Sequence, residues 1–258
     1  MPQDRHLLEE YFKDAPKGLS LEQLKLDALP QHVALIMDGN GRWAQKRGLS
    51  RSLGHIEGVK TLQELVTSAV RLGIPYISVY AFSTENWKRP QEEVNMLMAL
   101  FAEEIHNQMP LLQKESVRLH FIGDIESLPQ ETRDSFYEGL ELTKDNDKLC
   151  LSLAVNYGAR AELLRAAQLI GQDLLSSKLS LDEITEEVFA DKLYTNTLPD
   201  PDLLIRSSGE LRLSNYLLWQ LAYTELYSTK VLWPDFTRFD FLEALLSYQE
   251  RSRRYGGV

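Results

Sequence analysis

Two periodicities alternate along this chain. Apolar runs rich in β-branched residues lie at 32–37, 77–82, 117–122, 149–156, 203–206 and 228–232. Runs of this length and composition read as strands. Between the first two, Leu53, Ile56, Leu62, Leu65, Val66 and Val70 recur at helical spacing, and Gly73 with Pro75 ends the pattern. A second helix is expected from Gln91 to about Gln108, with Val94, Leu97, Met98, Phe101 and Ile105 on one face. Further helices fit 129–145, 159–175 and 181–193. The alternation predicts a single α/β domain, a six-stranded mostly parallel sheet flanked by helices. Residues 1 to about 30 are polar, mixed in charge and end at Pro30, so they read as an N-terminal arm with a short helix.

Composition narrows the partners more than it changes the fold. At 258 residues the chain could form one large domain or two small ones, and no linker, repeat or low-complexity run divides it. A net charge of −10 disfavours nucleic acid, and equally a membrane surface bound through a polybasic patch. The single cysteine, Cys150, excludes an intrachain disulfide, and its apolar surroundings suit a buried, inert thiol. No Cys/His cluster has zinc spacing. The start lacks the apolar run of a signal peptide, and no stretch reaches the ~18 apolar residues of a membrane span. A cytoplasmic location is the expectation.

Three segments carry chemistry, each directly after a strand, where ligands collect in open α/β sheets. The first is Asp38-Gly39-Asn40-Gly41-Arg42-Trp43. Two glycines flank Asn40 before a helix, an arrangement that offers backbone N–H groups to an anion. It lacks the Gly-Lys-Ser/Thr of a nucleotide-binding loop and the third glycine of a dinucleotide fingerprint. Alone, Asp-Gly-Asn-Gly is only a turn signal. Its setting changes that, because residues 38–60 carry a net of three positive charges on an acidic chain, including Arg42 and Arg51. Guanidinium forks suit phosphate oxygens, although a solvated basic helix face would look similar. His55 follows Arg51 by one helical turn, so both can face one ligand.

The second segment is Tyr80-Ala81-Phe82-Ser83-Thr84-Glu85-Asn86-Trp87-Lys88-Arg89-Pro90, with Glu93 in the helix that Pro90 opens. The third runs from Leu204 to Tyr216; a strand delivers Arg206, and Arg212 and Ser214 follow the turn at Gly209, so two arginines and several hydroxyls can hold a second phosphate group. Glu225 follows among apolar and aromatic residues. A carboxylate there needs a metal or a partner arginine, and the two readings weigh equally.

Together these segments resemble the cis-prenyltransferase family, of the undecaprenyl-diphosphate synthase type. The matching stretches are HVALIMDGNGRWA, GHIEGV, YAFSTENWKRP, NYGAR, DLLIRSSGELRLSNYLLWQLAYTELY, LWPDF and RRYGG, in family order from residue 31 onward. The resemblance implies a catalytic domain over 31–258, a deep hydrophobic tunnel, a homodimer, Mg²⁺, and two substrates, isopentenyl diphosphate and an allylic diphosphate. The product would be a long-chain polyprenyl diphosphate, the precursor of a lipid carrier for cell-wall glycans. The allylic site would be Asp38, Gly39, Asn40, Gly41, Arg42, Trp43, Arg51 and His55. Arg89 would lie between the substrates, and Arg206, Arg212 and Ser214 would hold isopentenyl diphosphate. Ser83, Thr84, Glu85, Asn86, Trp87 and Glu93 match positions around the isopentenyl group, with Asn86 and Asp38 as catalytic residues. Asp38 would bind Mg²⁺, helped by Glu225 from the neighbouring subunit. Arg254 and Gly256 match a terminal segment that reaches toward the partner's site. Leu211 stands where some relatives carry histidine. The Asp-Asp-x-x-Asp motif of trans-prenyltransferases is absent. A non-catalytic partner subunit is the alternative, and the intact Asp-Gly-Asn-Gly-Arg stretch argues against it. At most peripheral membrane contact is expected, at product release.

Overall fold

Six short strands form one sheet in the computed structural model, which describes residues 5–251. They are β1 (His32–Ile36), β2 (Tyr76–Ser83), β3 (Val117–Ile122), β4 (Leu149–Tyr157), β5 (Leu203–Arg206) and β6 (Glu225–Ser228), in the order β3-β4-β2-β1-β5-β6. Every neighbouring pair is parallel. β1 and β5 are buried along their whole length, the pattern of strands covered on both faces. Val33 and Leu35 point into one core, and Ala34 and Ile36 into the other.

The larger core lies beneath α3 (Arg51–Leu72), α4 (Gln91–Lys114), α5 (Gln130–Thr143) and α8 (Arg238–Gln249), with α1 (Arg5–Phe12) contributing Leu8 and Phe12. The smaller core gathers Tyr157 and Ala159, where α6 (Ala159–Leu175) begins, with Tyr216, Leu217 and Leu221. α2 (Asn40–Lys46) sits at the end of β1, and α7 (Glu186–Ala190) is one short helix in the long connection before β5. α3 starts at Ser50, whose side chain accepts the Leu53 N–H, and stops at Gly73, whose φ of 74° only glycine adopts freely.

Four boundaries differ from the sequence pattern. The last strand is Glu225–Ser228, not 228–232, because its four-residue partner β5 ends at Arg206. Beyond the Thr229 N–H bond to the Arg206 carbonyl, the Val231 carbonyl accepts the Ser208 N–H and the Thr229 carbonyl the Gly209 N–H. Val231 and Leu232 were apolar because they pack, not because they pair. α4 continues past Gln108 through Pro110, and buried Leu112 holds its final turns in place. The span 181–193 breaks into a 3-10 turn and α7, because Thr185 caps a fresh start through the Val188 N–H. α8 was not read from the sequence at all, although Thr237 and Asp240 form a capping box ahead of it. No helix among the described residues is long and apolar enough to cross a membrane.

Candidate active site

Parallel strands bring the carboxyl ends of β1, β2, β4 and β5 to one edge, and the sequence-predicted residues gather there. Residues following β1 turn sharply at Gly39, whose φ is 114°. A side chain at this position would also press on Leu232 and the Trp233 N–H at about 3 Å, so glycine is required on two counts. α2 then lies against α3 at two further glycines. A Cβ on Gly54 would stand 2.2 Å from the Asn40 carbonyl oxygen, and one on Gly58 would stand 2.7 Å from Asn40 Oδ1. The GHIEGV stretch is therefore a contact surface that lets Asn40 approach the helix bearing Arg51 and His55.

Asp38 is the hub of the edge. Its Oδ2 accepts Arg206 Nη2 at 2.9 Å and its Oδ1 meets Arg42 Nη2 at 3.1 Å. Burial opposes its charged form, but the hydrogen bonds and charges of Arg206 and Arg42 outweigh that and hold the carboxyl below its ordinary range. Ser207 fixes the backbone, accepting the Asp38 N–H and donating to the Asp38 carbonyl at 2.6 Å. Arg206 is buried. It also donates to Ser214 Oγ at 2.8 Å and to the Arg212 carbonyl, while its Nε has no partner. Arg212 itself is largely exposed and leans on Glu210.

A third group faces these from β2 and α4. Glu93 is nearly buried and collects Arg89 at 3.0 Å, Arg51 at 3.4 Å and His55 at 3.8 Å. His55 is lowered to about 4, first by burial and then by the Arg89 charge, so it is neutral near pH 7. Its Nε2 and Asn40 Oδ1 are both buried without a hydrogen-bond partner. Ser83 and Asn86 cap the turn that carries Arg89 by exchanging hydrogen bonds.

Asp38, Gly39, Asn40, Gly41, Arg51, His55, Ser83, Glu85, Asn86, Arg89, Arg206, Arg212 and Ser214 all line one polar pocket of about 590 Å³. Arg42 reaches it through Asp38. Thr84 and Trp87 sit behind it, Thr84 on Glu85 and Trp87 Nε1 bonded to Asn156 Oδ1. Trp43 turns away, its indole donating to Asp235 beneath the Arg47 guanidinium. Glu225 is not at this edge in its own chain. It pairs with Leu203 at the opposite end of the β5–β6 ladder and accepts Arg251 at 2.7 Å. Arg254 and Gly256 lie outside the described residues.

Tyr80 and Asn215 fall within the second and third segments, but the sequence reading assigns neither a role. Tyr80 stacks on Tyr216 at 4.5 Å and donates to the Tyr157 carbonyl. Asn215 donates to Glu85 and accepts the Arg160 N–H. No local pattern marks Asn215, because it matters through a left-handed backbone, φ 62°.

The polar pocket opens into an apolar cavity of about 150 Å³, and Met37, Asn40, His55 and Ala81 line both. Leu62 and Val66 of α3, Leu97, Phe101 and Ile105 of α4, and Leu119 and Leu151 of the sheet form its walls. Val94 and Met98, on the same predicted face of α4, are buried in the core without lining the cavity.

Comparison with known proteins agrees with this geometry. The prenyltransferase family model, for undecaprenyl diphosphate synthase, matches residues 36–256. An isoprenyl transferase of Thermotoga maritima is 52% identical over 230 residues, 89% of this chain and 98% of the relative. An isoprenyl transferase of Clostridium perfringens is 50% identical over 232 residues, 90% of this chain and 92% of the relative. The crystal structure of lavandulyl diphosphate synthase from Lavandula x intermedia, in complex with dimethylallyl diphosphate, superposes with a TM-score of 0.86 at 37% identity. It covers 89% of this chain and 99% of that one. The chain belongs to the undecaprenyl diphosphate synthase family of prenyltransferases.

Proposed function

We propose that this enzyme condenses isopentenyl diphosphate with an allylic diphosphate in cis, extending a polyprenyl chain that grows into the apolar cavity. The observation that carries the reading is the junction itself. A cationic pocket with room for two diphosphates opens directly onto a hydrocarbon-lined space. The allylic diphosphate is assigned to Asp38–Arg42, Arg51 and His55, and isopentenyl diphosphate to Arg206, Arg212 and Ser214, with Arg89 between them. The allylic C–O bond ionises, and arginines aimed at the departing diphosphate neutralise the charge that develops there. The isopentenyl double bond attacks the resulting cation, and a proton is then lost. Neutral His55 can donate one hydrogen bond to a phosphate oxygen without adding charge. Ser83, Thr84, Glu85, Asn86, Trp87 and Glu93 shape the isopentenyl side. Asn86 is the catalytic candidate there, and Glu93 holds Arg51 and Arg89 in position.

Among the described residues no three His, Cys, Asp or Glu side chains converge as a metal cluster. That fits Mg²⁺, which is commonly held by one or two carboxylates plus substrate phosphates. Asp38 is assigned as its ligand, with Glu225 of a second copy completing the site. Bound there, the ion would neutralise diphosphate charge. A homodimer is supported by Leu218, Tyr223 and Leu226, which stand exposed beside edge strand β6. Tyr216, Leu217 and Leu221 of the same apolar stretch are spent on the chain's own core. A long-chain lipid-carrier precursor as product, and a cytoplasmic enzyme touching membrane at most peripherally, complete the proposal. Labelled isopentenyl diphosphate with farnesyl diphosphate and Mg²⁺ should yield free diphosphate and elongated prenyl products. Intact folded protein that releases neither would refute the reading.

A further inference from the structure

The apolar cavity has a polar seam in its wall. Gln63 of α3 and Glu104 and Gln108 of α4 all line it. Gln63 Nε2 donates to Gln108 Oε1 at 2.5 Å, and Gln108 Nε2 donates to Glu104 Oε2 at 2.7 Å. α3 and α4 are thus tied twice. Glu93 gathers Arg51 and His55 at the cavity mouth. The amide bridge ties the helices again eight residues further along α3, about 12 Å deeper. Between the two ties the helix pair is the side wall of the cavity. Three hydrogen-bonding side chains are costly in a surface built to hold hydrocarbon, and here two hydrogen bonds run among these part-buried groups, with Asn107 reaching the other Glu104 oxygen.

We propose that Gln63, Gln108 and Glu104 form a latch that limits product length by closing the seam between α3 and α4. This rests on the reading that the cavity takes the growing tail. A tail pressing on the seam must separate the amides and leave them unpaired against hydrocarbon, which opposes its passage. The tail is therefore confined to the space bounded by Leu119, Phe136 and Leu151. Once that space is filled, further growth meets the latch. Leucines in place of the glutamines remove the directional tie and turn the seam into more tail-compatible wall.

The test uses the full chain with farnesyl diphosphate, labelled isopentenyl diphosphate and Mg²⁺. Gln63→Leu/Gln108→Leu is compared with wild type, alongside a Gln63→Glu/Gln108→Lys exchange that rebuilds the cross-link as an ion pair. The first condensation is followed in a single turnover, products are separated by chromatography, and melting curves confirm folding. The leucine pair should raise the share of products longer than the wild-type main species about fivefold, ~1 kcal/mol of altered partitioning. Its first condensation should stay within about twofold of wild type, and the exchange pair should restore the wild-type distribution. An unchanged or shortened distribution in the leucine pair overturns the latch. So does loss of the first condensation in folded protein, which would place these residues in the chemistry. Absence of condensation by wild type would instead overturn the proposed function.

Discussion

The two halves of the polar pocket's edge are built by opposite means. The half after β1 is regular: positive φ falls only on glycines, Gly39 and Gly48, and two helices are brought together by Gly54 and Gly58. The half after β5 is irregular. Ser208, Ser214, Asn215 and Leu217 all have positive φ, between 45° and 74°. Each such residue costs on the order of 1–3 kcal/mol and persists only where its surroundings hold it. Here Arg206 grips Ser214, Asn215 is pinned to Glu85 and α6, and Tyr216 is clamped on Tyr80. The regular half presents a preformed anion cradle. The irregular half presents side chains whose positions depend on one another.

Asp38 joins the halves, taking Arg42 from one and Arg206 from the other, so its loss should break the comparison most severely. Asp38→Ala is expected to fold and to lose at least ~100-fold in kcat, the scale of one missing electrostatic group. Near-normal turnover would remove it from the mechanism. Mixing Asp38→Ala chains with Glu225→Ala chains adds a test of shared sites. If Glu225 serves the neighbour, a hybrid dimer has one site carrying both lesions and one carrying neither, so activity returns. No recovery, with hybrids shown to form, would confine Glu225 to its pairing with Arg251.

Separating the halves by substrate comes next. Arg206→Ala and Arg212→Ala should raise KM for isopentenyl diphosphate more than for the allylic substrate. Arg42→Ala and Arg51→Ala should do the reverse. Each lost charge-assisted contact is worth about 1.5–3 kcal/mol, roughly 10–150-fold. Arg206→Ala should be worse than Arg212→Ala, because it also frees Asp38 and Ser214. Equal effects on both substrates would merge the two clusters into one site.

The contrast also explains what the sequence could reveal. Alternating strand and helix patterns and the Gly73 stop are local signals, and they placed β1 to β5 and α3 closely. The segment after β1 was legible because glycines, arginines and a histidine crowd twenty residues. Asn215 and Tyr80 were not, since their roles arise from contacts 130 and 134 residues away. Glu225 left two readings open, and its Arg251 partner settles only the one within the chain. β6 was misplaced because burial of Val231 and Leu232 imitates strand periodicity, and pairing with β5 is a tertiary fact.

A stability comparison sharpens the same point at smaller scale. Gly54→Ala drives a methyl group onto the Asn40 carbonyl, a backbone atom that cannot swing aside. It should cost about 1–3 kcal/mol in denaturant unfolding, as overpacking does. Asn215→Ala removes side-chain bonds and a residue tolerant of left-handed backbone, and should cost about 1–2 kcal/mol. A smaller loss for Gly54→Ala than for Asn215→Ala would show that the regular half is the more adaptable one.

The smallest expected effect is a pH dependence centred on His55. In the folded chain its value is about 4, because burial and Arg89 disfavour the imidazolium; unfolded, it returns to about 6.5. Between those values the unfolded chain binds a proton that the folded chain does not. Stability must therefore fall as pH drops from about 6.5 toward 4, and level off below. Buried His32, also near 4, contributes to the same window, whereas Asp38, held below its ordinary value, loses its contribution only at lower pH. His55→Gln should remove part of the slope, about 1–2 kcal/mol between pH 7 and pH 5 in denaturant melts. Glu93 would keep Arg51 and Arg89 in place in that variant. A slope identical to wild type would mean that His55 titrates alike in the folded and unfolded chain, and a steeper slope in the variant would mean that Glu93 holds His55 protonated and that the pocket carries one more positive charge.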